Sequence, residues 1–182
     1  MKYRSNIKNG KREGLQERYY ENGQKEFKGN FKYGVQEGLQ ERYYEDGQLK
    51  SSGNYENGEV DGLSEWFHTN GQLKFRWNYK YGKREGLRER YYEDGQLKST
   101  GNYKNGKIDG LSRWFYKNGQ LQFKWNYING EQNGLQETFD EIGQLCRRAN
   151  FKNGKEHGIC EYFDEDGNLT KAQTYEEGEL KN

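Results

Sequence analysis

The stretch Tyr44-Glu-Asp-Gly-Gln-Leu-Lys-Ser-Ser-Gly-Asn-Tyr-Glu-Asn-Gly-Glu-Val-Asp-Gly62 decides the fold, because it carries two turn signals on either side of a short alternating run. The turn signals are Asp46-Gly47 and Asn57-Gly58. Asp-Gly and Asn-Gly pairs between alternating segments are strong short-range indications of β-hairpins. The stretch therefore predicts turn, strand, turn and the start of another strand.

The same pattern returns every 24 residues along the chain. A glycine followed by Leu or Ile occurs at Gly14, Gly38, Gly62, Gly86, Gly110, Gly134 and Gly158. Each repeat is numbered from this glycine, which is position 0. A fixed period of this length indicates a repeat architecture, so residues 1–182 are expected to form a single repeat domain. It has a partial repeat at 1–13 and full repeats at 14–37, 38–61, 62–85, 86–109, 110–133, 134–157 and 158–181.

The apolar residues of each repeat stand at positions 1, 5, 11 and 17. Position 1 is Leu or Ile, positions 5 and 17 are Tyr or Phe, and position 11 is Leu from the second repeat onward, with Lys25 in the first. Alternation with aromatic enrichment between Gly-containing turns is typical of strands. Each repeat is therefore predicted to be a β-hairpin.

The length of the loop decides which side chains share a face, because a shift of one residue moves a whole strand to the opposite face. A three-residue loop Glu45-Asp46-Gly47 keeps Tyr43 and Leu49 on one face and puts glycine in the left-handed conformation that closes such loops. With this register, positions 1, 3, 5, 11, 13, 15 and 17 are expected to share an apolar face. The even positions are expected to form a polar face.

The predicted fold class is all-β, as an elongated, single-layer, twisted antiparallel sheet of tandem 24-residue β-hairpin repeats. About 15 strands at roughly 4.8 Å each give a length on the order of 70 Å, and the accumulated strand twist prevents a flat ribbon. Only 30% of the residues are hydrophobic and 32% are charged. This composition is too polar to fill a core between two layers.

A second period of 48 residues overlies the first. Residues 38–85 and 86–133 differ at 15 of 48 positions, which leaves 33 identical. In each block, a repeat with Arg at position 4 and Ser and Gly at positions 13 and 15 alternates with a repeat that has Trp, Phe and Trp there. We expect large and small residues to pack together, with Trp77 over Gly53.

The chain offers no constellation typical of catalysis or of metal binding. His68 and His157 are almost four repeats apart, and no phosphate loop, Ser-His-Asp set or Cys/His metal spacing occurs. The repeated Glu at position 3 is expected to pair with tyrosine hydroxyls or lysines, because acid-base catalysis needs one tuned carboxylate and not many equivalent ones. Cys146 and Cys160 are expected to be free thiols. The protein is therefore predicted to be non-enzymatic, without cofactor or metal.

A stripe of aromatic and basic residues is predicted on the polar face and is the candidate binding site. Its members are Arg42, Tyr44, Trp66, His68, Lys74, Arg76, Arg90, Tyr92, Trp114, Tyr116 and Lys124. Exposed aromatic residues with arginine have the composition of interface anchors. The alternative is that these cross-strand pairs only stiffen a thin sheet.

The stretch from Tyr44 to Gly62 resembles a MORN repeat, whose pattern is an aromatic residue, an Asn-Gly or Asp-Gly turn, a Gly-x-aromatic strand, Asn-Gly-Lys and His-Gly. The variant with Gln-Leu-Lys after the turn is similar to bacterial MORN-variant repeat proteins that are often labelled antitoxin-like. The resemblance covers essentially the whole chain, although the histidine of His-Gly occurs only as His157. It implies a β-hairpin repeat fold and, for some MORN proteins, contact with acidic phospholipid.

The expected function is that of a non-catalytic protein-binding or scaffolding module, with a protein partner or self-association. Binding of an anionic phospholipid or a surface glycan through the stripe is the alternative. Lys and Arg number 30 and Asp and Glu number 29, so a nucleic-acid partner is not expected, and no small-molecule substrate is indicated. Without an apolar leader the chain is expected in the cytoplasm, unless it is a fragment of a longer protein.

Overall fold

The computed structural model describes residues 2–181, and strands are the only regular elements among them. The first seven are β1 (Lys2–Lys8), β2 (Lys11–Tyr19), β3 (Lys25–Lys32), β4 (Val35–Tyr43), β5 (Leu49–Glu56), β6 (Glu59–Phe67) and β7 (Leu73–Lys80). The others are β8 (Lys83–Tyr91), β9 (Leu97–Lys104), β10 (Lys107–Phe115), β11 (Leu121–Ile128), β12 (Glu131–Gln132), β13 (Gly134–Phe139), β14 (Leu145–Lys152), β15 (Lys155–Phe163), β16 (Leu169–Glu176) and β17 (Glu179–Lys181). The all-β fold of tandem hairpins is thereby confirmed.

The described chain divides into two compact units, residues 2–86 with 93–95 and residues 87–92 with 96–181. In the first unit, β1 to β7 pair antiparallel in chain order. In the second, β9 to β11 and β13 to β17 also pair antiparallel in chain order, and β12 and β13 both pair with β11. Each strand makes its main contacts with its sequence neighbours, so each unit is a single layer. The 17 strands exceed the expected 15 partly because Asn133 interrupts one strand to give β12 and β13.

The long loop of each hairpin has the predicted three-residue form. At the second repeat, the Tyr44 amide donates to the Gln48 carbonyl at 2.8 Å, and the Gly47 amide donates to the Tyr44 carbonyl at 2.9 Å. Gly47 has φ +87°, a conformation that costs glycine little and other residues more. Tyr43 and Leu49 are direct partners across the strands, as predicted.

A β-bulge follows each long loop and overturns part of the predicted face assignment. Tyr43 pairs with Leu49, but the preceding residue, Arg42, pairs with Ser51, so Lys50 at position 12 has no opposite partner. A bulge inserts one extra residue into one strand and shifts the alternation beyond it. Positions 13, 15 and 17 therefore lie on the same face as positions 2 and 4, and not with positions 1, 5 and 11 as expected.

The two faces consequently differ from the predicted apolar and polar ones. We call the face with positions 2, 4, 13, 15, 17 and 22 the aromatic face, and the face with positions 1, 3, 5, 11, 14 and 16 the charged face. The buried residues outside the glycines are Gln16, Glu17, Phe27, Phe31, Gln40, Ser64, Ser99, Ser112, Gln136, Ala149 and Cys160. All but Glu17 belong to the aromatic face. The leucines at position 1 lie on the charged face, and most of them are exposed, as at Leu39 and Leu63.

The short loops between repeats are two-residue turns with both residues left-handed. Asn57 and Gly58 have φ values of 51° and 88°, the requirement of a type I′ hairpin turn. In the first, second, third and fifth repeats an acidic residue precedes the Gly-Leu glycine and holds the next such turn. In the second repeat the Asn57 amide donates to Glu37 Oε2 at 3.1 Å. Tyr81, with φ 50°, occupies the Asn place in the following short loop, and its amide donates to Asp61 Oδ2 at 2.8 Å.

The Glu residues at position 3 make ion pairs on the charged face, as predicted. Lys28 Nζ lies 2.9 Å from Glu41 in the first unit, and Arg148 Nε lies 2.7 Å from Glu161 in the second. Glu17 accepts hydrogen bonds from Lys25 and Tyr19 at 2.9 Å each. The Lys25 bond is the main cause that lowers the pKa of Glu17 from its ordinary value of 4.5, with the Tyr19 hydroxyl adding to it.

The first prediction concerns Tyr81. A left-handed backbone costs a side-chain-bearing residue roughly 1–2 kcal/mol, and Asn tolerates it better than other residues. We expect Tyr81→Asn to raise the free energy of unfolding by about 1 kcal/mol, as measured by urea denaturation. The reverse change in the preceding loop, Asn57→Tyr, should lower it by a similar amount. Equal stability of all three proteins would show that these turns carry no backbone strain.

The second prediction concerns pH. Because the pKa of Glu17 is lower in the folded chain, its ionised form contributes stability above pH 4.5, and the contribution is lost as the pH falls through the lowered native pKa. We expect Glu17→Gln to destabilise the protein by less than about 1 kcal/mol near neutral pH, and the difference from wild type to shrink below pH 4.5. Denaturant titrations at several pH values measure it. Glu21→Gln is the control, since exposed Glu21 makes no ion pair within residues 2–181; an equal effect there would refute the assignment.

Candidate functional site: the aromatic face

Four aromatic rings form a continuous cluster on the aromatic face of the first unit. Trp66 stacks on its cross-strand partner Phe75 with ring centroids 4.6 Å apart. Phe75 lies 5.8 Å from Trp77, which lies 6.2 Å from Tyr79. The Arg84 guanidinium carbon is 3.6 Å from the centre of the Trp77 ring, a cation–π contact. The rings remain partly exposed, so this cluster presents a large aromatic surface.

The second unit carries a related cluster of three rings. Trp114 is 6.4 Å from Phe123, in an edge-on arrangement, and 5.2 Å from Trp125. Phe123 and Trp125 are 5.0 Å apart. All three rings are partly exposed. Each cluster occupies a repeat with Trp at position 4, Phe at position 13 and Trp at position 15.

In the structure the residues of the predicted stripe lie on both faces of the sheet, at the bulge position and in the long loops. Arg42, Trp66 and Trp114 lie on the aromatic face, and Arg90 occupies the same position 4 of its repeat. Arg76 and Lys124 lie on the opposite, charged face, where Arg76 is paired across the strands with Glu65 and Lys124 Nζ is 2.6 Å from Glu137. Lys74 stands at the bulge position. The stripe is therefore not one continuous surface.

The remaining stripe residues, at position 6, belong to the long loops. The Tyr44 hydroxyl donates to the Phe67 carbonyl at 2.7 Å. Equivalent bonds, each reaching 23 residues ahead, are made by Tyr20, Tyr92 and Tyr116. His68 Nδ1 is 4.0 Å from Glu93 Oε1. The hydroxyls of Tyr44, Tyr92 and Tyr116 therefore tie consecutive repeats together, a role that the sequence did not predict.

A cavity of about 230 Å³ opens on the aromatic face of the first unit, beside the aromatic cluster. Its lining includes Arg42, Ser51, Gly53, Ser64 and Trp66. The predicted packing of Trp77 over Gly53 does not fill this space. The atoms nearest to the open side of Gly53 belong to Ser64 and Tyr55, and Trp77 packs on Phe75, Tyr79 and Arg84 instead.

The corresponding place in the second unit is occupied by an arginine side chain. Arg88 stands where the first unit has Gln40. Its guanidinium donates to Ser99 Oγ at 2.9 Å and to the Tyr103 hydroxyl at 3.2 Å. Ser99 is fully buried. One substitution at position 2 thus distinguishes two otherwise closely similar pairs of repeats.

Within residues 2–181, no cluster of His, Cys, Asp or Glu has the arrangement of a metal site. Cys146 and Cys160 are free, and Cys160 pairs with Ala149 and not with the bulge residue Cys146. Burial raises the pKa of the Cys146 thiol, which makes its reactive thiolate less available. The described part of the chain also contains no helix long and apolar enough to span a membrane.

Sequence reasoning missed the aromatic clusters because it placed Trp66 and Phe75 on opposite faces. A signal for their contact was present in the 48-residue period. Within residues 38–133, Trp at position 4 occurs together with Phe and Trp at positions 13 and 15, whereas Arg at position 4 occurs together with Ser and Gly there. Such joint variation between repeats indicates that the three positions touch.

The chain matches the family described as MORN repeat variant in seven consecutive segments. The matched residues are 12–33, 36–57, 60–81, 84–105, 108–129, 132–153 and 156–181. Each of the first six segments spans one hairpin with its long loop and ends on the left-handed residue of the following short loop. No curated protein matches the chain significantly. Because the matches cover most of the sequence at the period of the hairpins, the chain belongs to the MORN repeat variant family.

Proposed function

We propose that this protein is a non-catalytic, protein-binding repeat module that contacts its partner through the aromatic face. The observation that carries the proposal is the cluster of Trp66, Phe75 and Trp77, whose rings are packed together and yet partly exposed in a single-layer sheet. Aromatic residues and arginine are enriched at the centres of protein interfaces. MORN repeats form modules that often bind proteins or membranes and are generally non-catalytic.

The aromatic face supports a protein partner better than the expected lipid or glycan stripe does. The stripe's cations lie on both faces, and Lys124 is neutralised by Glu137 at 2.6 Å. The chain as a whole carries a net charge of only +1, which gives weak attraction to an anionic surface. A scaffolding role, an antitoxin-like role and self-association are specific forms of the same proposal, since each needs an exposed protein-binding face.

The third prediction uses substitutions taken from the chain's own repeats. Position 4 is Trp in the two clustered repeats and Arg in the repeat that precedes each of them. Trp66→Arg with Trp114→Arg therefore removes both cluster anchors while keeping a residue that this position accommodates. We expect the double variant to capture its partner from lysate of the source cells at least tenfold less than wild type, as each lost anchor costs about 2 kcal/mol or more. Affinity capture with quantitative mass spectrometry measures the ratio.

The control is the double variant Leu63→Ala with Leu135→Ala, which changes two exposed leucines of the charged face. It should retain capture. Equal capture by wild type and the Trp variant, with circular dichroism showing both folded, would refute the aromatic face as the contact surface. Light scattering that shows a strict monomer, together with no captured protein and salt-sensitive binding to anionic vesicles, would favour the lipid alternative.

A further inference from the structure

The cavity on the aromatic face of the first unit is bordered by two cations without an anionic partner. Arg42 and Lys50 both line it, and no Asp or Glu is among its lining residues. Within residues 2–181 neither cation makes an ion pair. Both instead contact aromatic rings, Arg42 lying over Phe27 at 5.6 Å and Lys50 over Tyr44 at 5.4 Å. Both side chains are exposed at the mouth.

In the preceding repeat a glutamate balances the arginine at this position. Arg18, at position 4, donates to Glu26, at position 12, with Nε to Oε2 at 2.6 Å and Nη2 to Oε1 at 2.8 Å. A bidentate pair of this kind satisfies the planar guanidinium. In the next repeat position 12 is Lys50, so the same two positions carry like charges. The residues at positions 4 and 12 therefore neutralise each other in the first repeat, whereas in the second repeat both are positively charged and can bind an anionic ligand.

The floor of the cavity contains buried polar groups that have no hydrogen-bond partner in the described chain. Ser64 is 2% exposed and its hydroxyl is unpartnered. Gln40 is 5% exposed, and while its amide nitrogen donates to the Asn30 carbonyl at 2.9 Å, its Oε1 is unpartnered. Leaving a buried polar atom without a hydrogen-bond partner is energetically costly, so a ligand that reaches the floor with a polar group gains binding energy there.

The size and walls of the cavity indicate the class of ligand. About 230 Å³ is below the roughly 300–1,000 Å³ of pockets for drug-sized molecules and cofactors. The Trp66 ring lines one side and offers an apolar surface to a peptide chain. The site therefore has one aromatic wall, a neutral polar floor and a cationic mouth, which suits a short segment of polypeptide better than a multiply charged small anion.

We propose that this cavity binds an acidic peptide segment of a partner protein, with a carboxylate held between Arg42 and Lys50 and the peptide chain packed against Trp66. This inference rests on the proposed protein-binding function and assigns a place and a chemistry to it. In the second unit Arg88 fills the equivalent space through its bonds to Ser99 and Tyr103. The two units therefore differ in ligand access, and the first unit is the receptor for the acidic segment.

The fourth prediction tests the site directly on the intact 182-residue chain. The protein is labelled with ¹⁵N at the tryptophan indoles and titrated, at low salt, with an acetylated and amidated hexapeptide of alternating Glu and Ser. We expect a saturable shift of the Trp66 indole signal that weakens as salt is raised. The matching Gln and Ser hexapeptide should bind at least tenfold more weakly, because it lacks the carboxylates.

Two variants introduce residues that the chain itself carries at equivalent positions of other repeats. Lys50→Glu recreates the Arg18–Glu26 arrangement, so Arg42 is neutralised internally and the acidic peptide should bind at least tenfold more weakly. Arg88→Gln empties the equivalent space in the second unit, and the Trp114 indole should then respond to the same peptide. Lys80→Glu is the charge-matched control, since Lys80 is exposed and does not line the cavity. The preceding repeat has a glutamate, Glu56, at the equivalent position. This variant should leave the Trp66 response unchanged.

The proposal is overturned if the Trp66 signal does not shift saturably, if Lys50→Glu binds the peptide as tightly as wild type, or if inorganic phosphate alone gives the same response. Failure of this site and failure of the proposed function are distinguishable by the capture experiment. A partner lost with Trp66→Arg and Trp114→Arg but retained with Lys50→Glu would leave the aromatic face as the contact surface and exclude the cationic cavity. Loss with both variants supports the acidic segment.

Discussion

The β-bulge after each long loop is the constraint on which the rest of this structure depends. The loop closes with a left-handed glycine, as at Gly47, and the next strand begins with one residue, Lys50, that has no partner opposite. Because of this one unpaired residue, the side chains that follow it in the strand lie on the face opposite to the one that regular alternation predicts. Position 13 then meets position 4 on one face, so Trp66 meets Phe75 and Arg42 meets Ser51. Every aromatic cluster and the cavity follow from that register.

Stability in such a thin sheet comes from ties between consecutive repeats more than from a deep core. Tyrosine hydroxyls bind main-chain carbonyls 23 residues ahead along the long-loop edge. The glycine amides of the short loops bind carbonyls of the neighbouring strand pair, as Gly58 does with Gln36 at 2.9 Å. Ion pairs such as Lys28 with Glu41 connect successive repeats on the charged face. Nearest-neighbour terms of this kind are what make repeat proteins modular. Because these ties lie outside the aromatic face, the partly exposed side chains of that face are free to differ between repeats.

That freedom explains how nearly identical repeats can present different surfaces. Within residues 38–133, position 4 with positions 13 and 15 holds either an arginine with Ser and Gly or a tryptophan with Phe and Trp. Neither set disturbs the hydrogen bonds at the edges of the sheet. Position 2 adds a further choice, because Gln40 binds the Asn30 carbonyl whereas Arg88 reaches Ser99 and Tyr103. Variation at a few positions therefore changes the shape and charge of the binding face without changing the fold.

The sequence by itself determined the hairpin repeat, its period, the three-residue loop and the pairing of the position 3 glutamates, because turn residues and alternation act over a few neighbouring residues. It also named Trp66 and Trp114 as candidate contacts. Only the tertiary structure decided that they share a face with Phe75 and Phe123. The residue type at position 12 does not reveal the bulge, because a lysine such as Lys50 is equally acceptable in a regular strand and in a bulge. For the same reason the split of the predicted stripe between two faces, and the cavity with its unpaired Arg42, depend on strand pairing between residues far apart in sequence.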